Sequence, residues 1–102
     1  MPRTVLGEQA EFLSERPVHK LLYDSEKMRV VLFCLLPGQV IAPHTSTSEV
    51  MMYLVEGEGT FTVGEEKQKL TPGSFLVCKS NEPHGFEATQ KMMMLAIIAP
   101  RP

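Results

Sequence analysis

Turn signals recur about every ten residues along this chain, and a chain interrupted that often folds as short strands rather than long helices. The interruptions include Asp24-Ser25, Pro37-Gly38, Glu56-Gly57-Glu58-Gly59, Gly64-Glu65-Glu66, Thr71-Pro72-Gly73 and Ser80-Asn81-Glu82-Pro83. Between them lie runs rich in Val, Leu, Ile, Phe, Met and Tyr. They predict strands at Val18–Tyr23, Met28–Leu36, Gln39–Pro43, Glu49–Val55, Thr60–Val63, Lys67–Leu70, Ser74–Cys78, His84–Glu87 and Lys91–Ala99. Residues 1–16 read as an irregular, short helical or strand-exchange segment ahead of a single domain spanning 1–102. That count and spacing mean an all-β sandwich or barrel.

Patterning separates the strands. Thr60-Phe61-Thr62-Val63 and Lys67-Gln68-Lys69-Leu70 alternate, as strands with one wet face do. Val30–Leu36, Val50–Val55 and Met92–Ile98 are apolar on both faces. One face can fill the core, but the other needs a cover. A second copy of the chain is the simplest cover, so a homodimer is expected; the alternative is that the N-terminal segment folds over that sheet.

Several roles are disfavoured. The net charge is −2 with both signs interspersed, which gives no basic stripe for nucleic acid or an anionic membrane. No apolar run is long enough to span a bilayer and no signal core is visible, so a cytoplasmic protein is expected. Cys34 and Cys78 then read as reduced thiols packed as small apolar groups.

The chain has three histidines, and two of them, His44 and His84, each follow a proline at a turn-to-strand junction. They sit in segments with a familiar pattern. Gly38-Gln39-Val40-Ile41-Ala42-Pro43-His44-Thr45-Ser46, continuing to Gly57, resembles the first motif of the cupin superfamily: Gly, five residues, His-x-His, three or four residues, Glu, six residues, Gly. Gly73 through His84 resembles the second: Gly, five residues, Pro-x-Gly, two residues, His. The resemblance is to small single-domain cupins and implies a double-stranded β-helix, a jelly-roll barrel of two packed antiparallel sheets. It also implies a metal site or ligand pocket inside the barrel.

In the resemblance, His44 and His84 stand at metal-ligand positions, whereas Ser46 replaces the second His and Val50 replaces the Glu. Periodicity agrees on Val50, because 50, 52 and 54 share one face of their strand. Lys79-Ser80-Asn81 replaces Pro-x-Gly, with Asn as the non-Gly residue that best tolerates positive φ. Two imidazoles alone are half of the usual shell. Three sources could complete it. Glu49 could turn inward at a bulge, although an edge charge facing solvent is the plainer reading. Cys78 could act as a soft ligand with Met51 or Met52, favouring copper(I) or zinc, although methionine in strands is usually core filler. Water or a substrate carboxylate could fill open positions, and this is the preferred source. Tyr53 and Phe86 are further pocket candidates, and His19 reads as an edge residue.

The expectation is therefore a small cupin that binds a metal ion, a small organic ligand or both. The metal would be a divalent transition ion (Zn, Mn, Fe or Ni), held weakly or not at all. Three roles stay open: a small metal-dependent enzyme of dioxygenase or isomerase type, a metal-free binding module, and a structural dimer without catalysis.

Overall fold

The computed structural model describes residues 3–102. A four-residue helix, α1 (Leu6–Gln9), precedes nine strands: β1 (Val18–Asp24), β2 (Arg29–Leu35), β3 (Val40–His44), β4 (Glu49–Glu56), β5 (Gly59–Val63), β6 (Glu66–Leu70), β7 (Phe75–Cys78), β8 (His84–Ala88) and β9 (Met92–Ala99). Each strand expected from the sequence is present, with its ends moved by no more than one residue. The strands form two antiparallel sheets, ordered β1-β2-β9-β4-β7 and β3-β8-β5-β6. Together they make the double-stranded β-helix, all-β as the turn spacing predicts. Among the described residues no helix is long and apolar enough to cross a membrane.

Register shows how the two-faced apolar strands are used. In the five-stranded sheet Phe33 pairs with Met94, Ala96 with Met52, and Ile98 with Val50, three successive rungs on the inner face. With Leu35, Leu54, Phe61, Phe86 and Met92 these rungs form the main core between the sheets. Phe86 ties the two sheets together, stacking on Phe61 at 5.1 Å between centroids and meeting Phe33 edge-on at 5.3 Å. Gly57, at φ +84, shows how tightly the layers close. A Cβ there would come within 2.7 Å of the Met92 Cα and closer still to the Lys91 carbonyl.

The outer face of that sheet is covered in part. Ala10, Phe12 and Leu13 pack over Val18, Leu32, Cys34 and Met93, a second and smaller core. The segment is held there by Gln39 Nε2 donating to the Leu13 carbonyl at 2.7 Å, by Lys20 paired with Glu11 at 3.1 Å, and by the Lys91 ammonium 4.4 Å over the Phe12 ring. Further along the same face, one rung crosses all five strands as Tyr23, Val30, Ile97, Met51 and Val77. This rung lies outside the cluster that Ala10, Phe12 and Leu13 join, and Tyr23 and Val77 are more than half exposed. Of the two alternative covers expected from the sequence, the N-terminal segment is the one seen, and it packs on the Val18–Met93 cluster. Cys34 lies in the outer core and Cys78 in the inner one, so the sheet separates the two free thiols.

Candidate functional site

His44 closes β3 and His84 opens β8, neighbouring strands of the four-stranded sheet. Their pairing starts as Val40 with Glu87 and Ile41 with Phe86, a register that would set Pro43 opposite His84. A bulge between Ile41 and His44 takes up one residue and brings His44 opposite His84 instead. Pro43 suits the bulge because it has no N–H to lose from the ladder. Gly85 permits it, since a Cβ there would lie 2.7 Å from both the Ile41 carbonyl oxygen and the Pro43 nitrogen. The imidazole centroids end 4.4 Å apart.

The loops behind the two histidines are sewn together. Asn81, at φ +65, donates its backbone N–H to the Ser46 carbonyl at 2.7 Å, and Ser80 Oγ donates to the Thr47 carbonyl. This is the positive-φ role expected for Asn81. Nearby, Ser48 Oγ donates to the Pro100 carbonyl and Arg101 pairs with Asp24 at 2.7 Å, which sets Pro102 at the rim.

Each ring has its tautomer fixed by the backbone two residues before it. His44 Nδ1 lies 3.2 Å from the Ala42 carbonyl oxygen, and His84 Nδ1 lies 2.9 Å from that of Glu82. A carbonyl only accepts, so each Nδ1 carries the hydrogen. Nε2, the nitrogen farther from the backbone, is then the acceptor whenever the ring is neutral. His84 is 3 % exposed and sits deep, whereas His44 is on the exposed rim.

Both histidines line one cavity of about 300 Å³. Thr45 and Ser46 share its polar end; Phe33, Met52, Met94, Ala96, Ile98 and Phe86 make the apolar wall. Val50 lines it where the motif would have a carboxylate. No Asp, Glu, Lys or Arg side chain lines it among the described residues. Ser46 Oγ accepts the Ser48 N–H at 3.1 Å, which leaves its own hydrogen free to donate.

Of the residues singled out from sequence, the fold gathers His44, His84, Ser46, Val50 and Phe86 at this cavity. It places three elsewhere. Glu49 is exposed and pairs with Ala99, because strand alternation turns it away from the face that Val50 occupies. Tyr53 has the same outward parity, on a rung with Leu95 and Phe75. Cys78 faces inward opposite Val50 but is packed in the core rather than on the cavity. Burial, with Glu82 adding to it, pushes its thiol up to about 11, so it stays protonated and is a poor ligand. Among the described residues no three His, Cys, Asp or Glu side chains cluster as a metal cage. His19 is exposed at an edge strand, 5.9 Å from Phe33. Sequence reading missed Gly85, Thr45 and Pro102. The triplet Pro83-His84-Gly85 was the available signal for Gly85.

The profile of the Cupin domain matches residues 31–98, which contain both histidines and most of the cavity wall. The chain belongs to the cupin family. Among solved structures it is similar to TT1209 from Thermus thermophilus, at 32 % identity over 100 % of both chains with a TM-score of 0.94. It is also similar to an RmlC-like cupin from Desulfovibrio desulfuricans, at 32 % identity, 98 % and 97 % coverage and a TM-score of 0.91. KdgF from a Halomonas species shares the fold, at 23 % identity, 84 % and 82 % coverage and a TM-score of 0.80. No curated protein matches this cupin in sequence.

Proposed function

We propose that this cupin binds a small organic ligand in the His44–His84 cavity, with the apolar body of the ligand against the Phe33–Phe86 wall and its oxygen-bearing end at the two imidazoles. The observation that carries the reading is the pair of backbone-locked tautomers. Two neutral rings that both carry the hydrogen on Nδ1 cannot hydrogen-bond to each other through Nε2, and the partner that suits such a pair is a Lewis acid or a hydrogen-bond donor. His44 and His84 fit an open metal site with two protein nitrogens, not a closed protein cage. A divalent transition metal bound there would supply Lewis-acid polarisation of a ligand oxygen. The chain's own residues do the rest. Ala42 and Glu82 hold the rings through their carbonyls, Ser46 offers a hydroxyl hydrogen, and the apolar wall excludes water. No carboxylate or ammonium lines the cavity, so the two imidazoles are its proton acceptors.

In the same reading the protein is a cytoplasmic homodimer. Its free cysteines suit a reducing compartment, and a second copy covers the Tyr23–Val77 rung. The test of the site is histidine NMR. Both His44 and His84 are expected to show bare Nε2 and protonated Nδ1, and Zn²⁺ at millimolar concentration should shift both Nε2 signals while His19 stays still. Protonated Nε2 in either ring, or a zinc response at His19 alone, would remove the proposed site.

A further inference from the structure

Asp24 carries two arginines on one oxygen, and they are not served equally. Its position follows from register: Asp24 pairs with Arg29, Arg29 with Ile98 and Ile98 with Val50, one inner-face rung that ends in the cavity wall. Arg101, just past the end of β9, donates from Nε to Asp24 Oδ1 at 2.7 Å. Arg29 reaches the same oxygen only at 3.5 Å, and its Nε, cut off from water, has no hydrogen-bond partner among the described residues. A buried donor left unpaired is costly.

We infer that residues 100–102 form a strap across the cavity mouth with a closed and an open state, chosen by which arginine holds Asp24. The structure shows the closed state, in which Arg101 holds the carboxylate and Pro102 lines the cavity. In the open state Arg29 Nε takes the oxygen, Arg101 goes to solvent and Pro102 leaves the rim. The two states are closely matched. Closing sets Pro102 on the apolar wall but leaves a buried donor unpaired. Opening satisfies that donor and gives up an ion pair whose Arg101 side chain is 44 % exposed, a contact of small net worth. The hinge is equally defined. Ser48, 2 % exposed, donates its Oγ to the Pro100 carbonyl, so the strap is pinned at Pro100 and only Arg101 and Pro102 swing. The gate acts on access to the cavity and is independent of what the cavity binds.

The probe is diethyl pyrocarbonate, which acylates the free nitrogen of a neutral imidazole, with each histidine followed by peptide mass spectrometry at one fixed pH. His84, 3 % exposed, reports on the cavity, and the exposed His19 is the internal reference. With an open state holding about a tenth of the molecules or less, Arg101→Met should raise the His84 rate about fivefold or more relative to His19. Arg29→Met should lower it about threefold or more, since the open state then loses a hydrogen bond to a charged group. Opposite directions in the two variants support the strap. An unchanged His84 rate in Arg101→Met would overturn it. A rise in both variants would overturn it as well, because it reports general loosening rather than competition for Asp24. Where Arg29→Met does not fold, NMR of Arg101→Met decides: the Arg29 Nε–H resonance should move downfield of its wild-type position on gaining Asp24, and an unmoved resonance would overturn the inference.

Discussion

The two histidines share a role at the cavity and differ in what they do for the fold. Both occupy matching Pro-His contexts, and the sequence alone suggests that alanine at either would spare stability. Burial separates them. His84 is 3 % exposed and satisfies the Glu82 carbonyl, so His84→Ala leaves a void and an unpaired acceptor. It should cost about 1–2 kcal/mol, whereas His44→Ala should cost less than about 0.5 kcal/mol, as read from urea unfolding. Equal costs would mean that the two rings are not placed as described. The residues at the cavity were legible where they belong to a strand of fixed parity or to a motif position, as Val50 and Ser46 do. Tyr53 was legible by the same parity and was misread: with Val50, Met52 and Leu54 facing inward, Tyr53 faces out. Cys78 misled for another reason: facing inward is not the same as reaching the cavity.

At the level of elements, the β3 bulge decides the site. The sequence places β3 and β8 correctly within one residue, and yet the pairing of His44 with His84 depends on one extra residue taken up between Ile41 and His44. A bulge leaves no periodicity to read, only Pro43 and Gly85 as circumstantial marks. Gly85→Ala should push β3 off β8, because the added methyl meets Ile41 and Pro43 backbone rather than a movable side chain. The variant should stay folded by circular dichroism and lose the zinc response of His44; retention of that response would show that the close approach at Gly85 is dispensable. β7 carries a pH signature. Cys78 titrates at about 11 in the folded chain against 9.0 for a free thiol, so the folded state holds the proton more tightly. The stability this contributes is complete below pH 9 and is lost as pH rises from 9 towards 11. The urea midpoint should fall across that interval more steeply in the wild type than in Cys78→Ala, and parallel slopes would count against the thiol.

For the whole molecule, the sequence marked three strands as apolar on both faces but not how the outer face of their sheet is divided. Phe12 and Leu13 pack at one end, and Tyr23 and Val77 at the two ends of the Tyr23–Met51–Val77 rung are more than half exposed, the rung that the proposed dimer would cover. Met51→Glu sets a charge at the centre of that rung. It should convert a dimer into a monomer in sedimentation at micromolar concentration, whereas a monomeric wild type would leave the outer rung without the proposed cover. The nine strands were legible from turn spacing, and the choice of barrel over sandwich came from the resemblance of Gly38–Gly57 and Gly73–His84 to the two cupin motifs. Its pocket chemistry was legible only as far as two histidines and two missing ligands, because the tautomers and the neutral lining arise from contacts between distant segments. The most direct measurement of the central claim is a crystal soaked with Zn²⁺, with anomalous data collected at the zinc edge. A single peak about 2.1 Å from Nε2 of both His44 and His84 is the predicted result. Zinc elsewhere on the chain, with both rings unligated, would contradict it.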